Sequence, residues 1–164
     1  MSLNLDNTGI IYNQDVNKSK DFASQISNSF YKSGLVKKLP KIFDMVNMPD
    51  DITFAVTIGG DGTLLKCARH YSKLNVPVFG FNMGRLGYLS QALPDELDFV
   101  INKIKEHDFR IEKRLMLKSS ASNIALNDMV IRKEINARTS VLDLSINDKP
   151  VCSYMADGLI ISTP

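Results

Sequence analysis

The 164-residue chain has no tryptophan, two cysteines, two histidines and almost no net charge. Cys67 and Cys152 are too few for a disulfide scaffold, and neither sits in a Cys-x-x-Cys pair. With only His70 and His107 to join them, no zinc-ligand spacing forms. Twenty Lys and Arg against 18 Asp and Glu leave a formal charge of +2. That is too small to mark a nucleic-acid partner or an acidic membrane surface. No apolar run approaches the roughly 18 residues of a membrane helix. Met1 to Thr8 is polar and lacks the apolar stretch of a secretory leader. Nine Gly and six Pro exclude collagen-like and low-complexity classes. The expectation is a globular protein of a reducing cytoplasm.

At 44% hydrophobic and 23% charged residues, the chain can build one core, or two small domains sharing one. Gly9 to Asn13 reads as a first strand, and Lys18 to Gly34 as a helix with Phe22, Ile26 and Phe30 on one face. Val36 to Leu39 reads as a second strand and Pro40 to Asn47 as a short helix. Ile52 to Ile58 is the clearest strand, nearly all β-branched or aromatic, as in a strand buried on both faces. Leu64 to Lys73 reads as a helix and Val76 to Phe81 as a strand. Pro94 opens a further helix with Leu97, Val100, Ile101 and Ile104 on one face. This alternation predicts an α/β N-terminal domain with an open, mostly parallel sheet. Beyond residue 107 the pattern turns to strands: Arg110 to Leu117, Ile124 to Arg132, Ser140 to Ile146, Val151 to Met155 and Leu159 to Ser162. Asn147-Asp148 and Asp157-Gly158 supply turns. The expected organisation is an α/β domain over 1–108 and a partial all-β C-terminal domain over 109–164.

The chemistry concentrates in a few strings. Gly59-Gly60-Asp61-Gly62-Thr63 follows the clearest strand. Its glycines let the backbone turn sharply and approach a ligand closely. The helix after it offers N–H groups to phosphate, and Asp61 offers a carboxylate to a hydroxyl proton or a metal ion. A plain strand-to-helix turn capped by Asp61 is the competing reading. The string is neither a P-loop nor a Gly-x-Gly-x-x-Gly fingerprint. A second Gly-rich loop, Gly80 to Leu89, follows the next strand and can face the first across the top of the sheet. Asn127-Asp128 interrupts an apolar strand, either as a bulge or turn or as a ribose or adenine contact. Asp157-Gly158 reads by itself as a hairpin turn.

Together these strings resemble the NAD kinase family. Gly59 to Thr63 is similar to its GGDGT motif, Asn127-Asp128 to its Asn-Glu/Asp motif, and Ala156 to Pro164 to the start of its C-terminal block. Gly80 to Leu89 is similar to its second Gly loop and Arg114 to Leu117 to its Arg-x-Met-Leu segment, so the likeness spans about residues 9–164. The resemblance implies phosphorylation of the adenosine 2′-hydroxyl of NAD to give NADP, with ATP or polyphosphate as donor and Mg²⁺ as the divalent cation. It implies Asp61 as general base, with Gly60 and Gly62 leaving room for the dinucleotide and Lys66 near the nucleotide phosphates. Tyr88 would border the adenine, Asn127 and Asp128 would bind ribose and adenine, and Arg138 and Met155 would line the site. Asp157 would reach the nicotinamide side, from a neighbouring subunit, which implies a homo-oligomer, a dimer or tetramer. The family's Thr-Gly-Ser-Thr-Ala-Tyr run would follow Pro164, so the chain is expected to be truncated. Two alternatives compete: a diacylglycerol-type lipid kinase sharing the GGDGT turn, and a non-catalytic fragment that binds NAD or NADP.

Overall fold

Phe54–Gly59 forms β3, and all six of its residues are buried. β-branched and aromatic side chains on both faces require cover on both faces, and helices on either side of the sheet supply it. The computed structural model describes residues 3–85, 87–132 and 140–164. In it, β1 (Thr8–Tyr12) and β4 (Val78–Asn82) flank β3, and β2 (Lys41–Asp44) lies outside β1. The order is β2-β1-β3-β4, every pair parallel. Tyr12 pairs with Ile58, and Gly59 with Asn82, so the strands end together along one edge.

Three helices cover the sheet. α1 (Ser19–Lys32) buries Phe22, Ala23, Ile26, Ser27 and Phe30 at helical spacing. It stops at Gly34, whose φ of 73° suits glycine. There the Leu35 and Gly34 amides donate to the Phe30 and Tyr31 carbonyls, closing the helix end. α3 (Leu97–Lys105) buries Leu97, Val100, Ile101 and Ile104. The expected helix start at Pro94 is instead a three-residue 3₁₀ turn, Pro94–Glu96, with the Leu93 amide donating to Glu96 Oε2 at 2.8 Å. α1 and α3 pack with Ile10, Phe54, Val56, Ile58 and Phe81 into one core cluster. Phe22 and Phe81 meet edge to face at 5.3 Å between centroids. α2 (Asp61–Tyr71) lies against the other face, where Cys67 and Tyr71 pack with Ile11, Ile52 and Ala55. Successive strand residues thus feed opposite cores, as the period of two requires.

The second strand is not Val36 to Leu39, and no short helix spans 40–47; the strand is β2 at Lys41–Asp44. Ile42 and Phe43 pair with Ile10 and Ile11 of β1. The ladder along an already buried strand overrides a local pattern that fits a helix equally well.

Contacts divide the chain into two compact units, Met1–Lys113 and Arg114–Pro164. The second holds three antiparallel pairs. β5 (Leu117–Lys118) pairs with β6 (Ile124–Ala125), β7 (Asp128–Arg132) with β10 (Gly158–Ser162), and β8 (Ser140–Ile146) with β9 (Lys149–Ala156). The fold is therefore a mostly parallel α/β unit followed by small antiparallel β elements. Of the expected strand Arg110 to Leu117, only Leu117 lies in a ladder, at the start of β5, and Ile124 to Arg132 is broken at Leu126-Asn127. Asn147 and Asp148 both have positive φ, 51° and 62°, as a tight hairpin turn demands, and they join β8 to β9.

Candidate functional site

The chain leaves β1 for one face of the sheet and leaves β3 for the other, because α1 and α2 lie on opposite faces. Connections that part in this way open a crevice at the carboxyl ends of the two strands, the usual ligand position of an open α/β sheet. Asn13 follows β1, and its Nδ2 donates to Thr63 Oγ1 at 3.3 Å across that gap. Gly60 caps α2 in extended conformation, and Asp61 is the first helical residue rather than part of the turn. The N-terminal N–H groups of α2 have no acceptor within the helix, so this end is electropositive.

The glycines here differ in what they serve. A Cβ on Gly59 would overlap the Thr63 side chain, so close packing requires that glycine. A Cβ on Gly60 or Gly62 would meet no atom of the described residues within 4 Å, and neither glycine has positive φ. Neither packing nor backbone conformation calls for glycine at these two positions. Their bare backbone borders open space among the described residues.

Asp61 faces the second Gly-rich loop. Its Oδ2 accepts the Tyr88 amide at 2.9 Å, and its Oδ1 accepts the Ser90 amide at 3.1 Å and the Ser90 hydroxyl at 2.8 Å. The Leu89 amide reaches both oxygens at 3.4 Å. Gly87 makes this approach possible, since a Cβ there would overlap the Asp61 carboxylate. Burial pushes the Asp61 carboxyl up, but the Ser90 hydroxyl and the amides of Ser90, Tyr88 and Leu89 outweigh it. The group is held below its ordinary value of 3.8 and is ionised at neutral pH. Gly60, Asp61, Gly62 and the Tyr88 backbone thus come together, while the Tyr88 ring is fully exposed and Lys66 lies on the exposed side of α2.

In the second unit, Asn127 and Asp128 sit at the break before β7, and Asn127 Nδ2 donates to Asp128 Oδ2 at 3.1 Å. Thr163 fastens this break. Its amide donates to the Asn127 carbonyl at 2.9 Å, and its hydroxyl to the Leu126 carbonyl at 3.0 Å. Asp128 pairs with Ser162, and Gly158 with Arg132, so Asp157 lies at the far end of the same ribbon. Four ladder steps of about 3.3 Å put roughly 13 Å between the two ends. Asp157-Gly158 is not a hairpin turn, because β9 pairs with β8 while β10 pairs with β7. Gly158 is needed because a Cβ would overlap the Ile131 carbonyl oxygen across the ladder. Met155 lies on β9, 78% exposed. Arg138 lies outside the described residues.

Asn13, Thr63, Gly87 and Ser90 complete the geometry and are not singled out individually by sequence reasoning. The Gly-Tyr-Leu-Ser run after β4 is the one signal that could have marked the last two.

The sheet order defines an open α/β protein, a class whose ligands usually bind where the strand connections part. A family described as the ATP-NAD kinase N-terminal domain matches residues 13–109. The chain is 34% identical over 173 residues to an NAD kinase of Clostridium perfringens, covering 96% of this chain and 61% of that one. It is 29% identical to an NAD kinase of Carboxydothermus hydrogenoformans, covering 94% and 58%. An Archaeoglobus fulgidus NAD kinase solved in complex with ATP superposes with a TM-score of 0.76 at 26% identity, covering 95% of this chain and 60% of that one. Yeast NADH kinase complexed with NADH shares the fold, with a TM-score of 0.73 at 21% identity, covering 97% and 54%. The chain belongs to the NAD kinase family. It spans about three fifths of the length of the curated relatives it matches.

Proposed function

We propose that this chain is the NAD-binding, proton-accepting part of an NAD kinase. The 2′-hydroxyl of the adenosine ribose gives its proton to Asp61 as its oxygen bonds to the γ-phosphorus of ATP. The bond from that phosphorus to the bridging oxygen breaks, and ADP leaves with the electron pair. A terminal phosphoryl group of polyphosphate serves the same step. The observation that carries this reading is an ionised carboxylate flanked by two glycines whose bareness serves neither packing nor backbone conformation. An acceptor held ionised needs no prior deprotonation, and a loose phosphoryl-transfer transition state asks little of the base.

In this reading Lys66 attracts the dinucleotide phosphates, and the exposed Tyr88 ring offers its face to adenine. Asn127 and Asp128 hydrogen-bond the adenosine, while Arg138 and Met155 line the dinucleotide. Asp157 serves the nicotinamide end. Should Asp157 serve a neighbouring subunit's site, the working form is at least a dimer. Among the described residues no cluster of three His, Cys, Asp or Glu could hold a metal ion. Mg²⁺ would ride on the donor's phosphates and offset the charge that develops there. Among the described residues no helix is long and apolar enough to cross a membrane. A cytoplasmic setting accords with that and with the cysteine usage.

Thermal unfolding with ligand separates this reading from a lipid kinase. NAD or NADP is expected to raise Tm, by about 2.7 kcal/mol of binding free energy at a hundredfold excess over Kd. A dispersed diacylglycerol is expected to leave Tm unchanged. Protection by the lipid and none by NAD or NADP would overturn the proposal.

A further inference from the structure

The two oxygens of Asp61 are not equivalent. Each carboxylate oxygen has two lone pairs to offer. Both on Oδ1 are engaged by one residue, through the Ser90 hydroxyl at 2.8 Å and the Ser90 amide at 3.1 Å. On Oδ2 one is engaged by the Tyr88 amide at 2.9 Å. Among the described residues the other meets only the Leu89 amide, 3.4 Å away and shared with Oδ1, which is a weak contact.

Ser90 is held from behind. It is buried, while Tyr88 two residues earlier is fully exposed. The next residues are stitched to β4: the Gln91 amide donates to the Gly80 carbonyl at 2.9 Å, and Gln91 Oε1 accepts the Gly80 amide at 2.7 Å. The Asn82 amide donates to the Ala92 carbonyl at 2.8 Å. The donor pair on Oδ1 is thus anchored to the sheet and not to a free loop tip. A buried serine hydroxyl left unpaired would be costly, and here its partner is Asp61.

We infer that Ser90 is the positioning residue of this site: its hydroxyl and amide saturate Asp61 Oδ1, fix the plane of the carboxylate, and leave Oδ2 as the oxygen that receives an incoming hydroxyl group. The identity of that hydroxyl, a ribose 2′-hydroxyl, rests on the proposed function; the assignment of the oxygens does not. When the hydroxyl proton passes to Oδ2, the Ser90 donors on Oδ1 stay in place, so the carboxyl group does not rotate during transfer. The titratable groups on the elements around Asp61 are Lys66, Cys67, Arg69, His70 and Tyr71 on α2, Arg85 and Tyr88 on the second loop, Tyr12 on β1, and Asp15 and Lys18 after it. β3 and β4 carry none.

The test uses the full chain with its aspartate carboxyl carbons labelled with ¹³C, followed by NMR through an acid titration, the Asp61 signal assigned from Asp61→Asn. In Ser90→Ala the Asp61 carboxyl is expected to titrate at higher pH than in the parent, because a donor to the charged form is gone. Ser90→Thr, which keeps the hydroxyl, is expected to restore the parent curve. Ser90→Cys, a near-isostere with a weak donor, should follow Ser90→Ala. Where NADP formation is measured, Ser90→Ala is expected to lower kcat about tenfold with little change in KM for NAD. An unchanged titration in both Ser90→Ala and Ser90→Cys would overturn the assignment, as would a Ser90→Thr curve that follows Ser90→Ala. A titration that moves as expected in a chain whose Tm neither NAD nor NADP raises would overturn the proposed function and leave the Ser90 assignment standing.

Discussion

Gly62 follows Asp61 in α2 and Gly87 lies against its carboxylate, and the two answer to opposite demands. Gly87 is glycine because Asp61 occupies the space of its side chain, whereas nothing of the described residues occupies that space at Gly62. Gly62→Ala is therefore expected to keep Tm or raise it, by up to about 1 kcal/mol in stability, since alanine is the better helix former. It is also expected to weaken NADP binding, through the methyl group it adds to the crevice. Gly87→Ala is expected to lower Tm, because Asp61 must give up its Tyr88 and Ser90 partners. Melting curves with and without NADP check both. A Gly62→Ala variant that binds NADP like the parent would contradict the role given to that glycine. Acid should act on the same carboxylate. Its folded-state pKa is depressed, so its hydrogen bonds contribute fully above the ordinary value of 3.8 and are lost as pH falls through the lower folded value. At this scale the GGDGT string was legible because strand, glycines and carboxylate are contiguous. Ser90 was not, because a serine in a loop carries no sign that an aspartate 29 positions earlier will be its partner.

Elements were legible where burial leaves a strong pattern. β3 declares itself through a run rich in β-branched and aromatic residues, and α1 through apolar residues at helical spacing. β2 did not, being an edge strand of four residues whose only sheet partner is β1. Asp157-Gly158 misled for another reason. The dipeptide is a hairpin signal, yet the Asn147-Asp148 turn has already committed β9 to β8, and β10 turns to β7. Gly158 serves a close approach between strands there. Phe30 and Leu39 show the contrast in energies. Phe30 is 1% exposed in the α1 core and Leu39 is 54% exposed ahead of β2. Phe30→Ala is expected to cost about 3–5 kcal/mol, and Leu39→Ala to stay within about 0.5 kcal/mol. Urea unfolding measures both, and similar losses would contradict the placement of the second strand at Lys41–Asp44.

The whole molecule divides its labour unevenly. The first unit holds every large apolar side chain that is fully buried among the described residues, and it holds the Asp61 crevice. The second carries the Asn127-Asp128 break and Asp157 on two-stranded ribbons whose Val130, Val141, Met155 and Ile160 are exposed. Such ribbons are marginal alone, and the curated relatives are longer proteins than this chain. The central claim is that Asp61 takes the proton of the NAD 2′-hydroxyl. It is tested most directly by NADP formation from NAD, ATP and Mg²⁺ at high concentration of this chain, beside Asp61→Asn. The account predicts NADP from the parent and a loss of at least about a hundredfold in the variant, in line with removal of a general base. NADP formed equally fast by Asp61→Asn would contradict it.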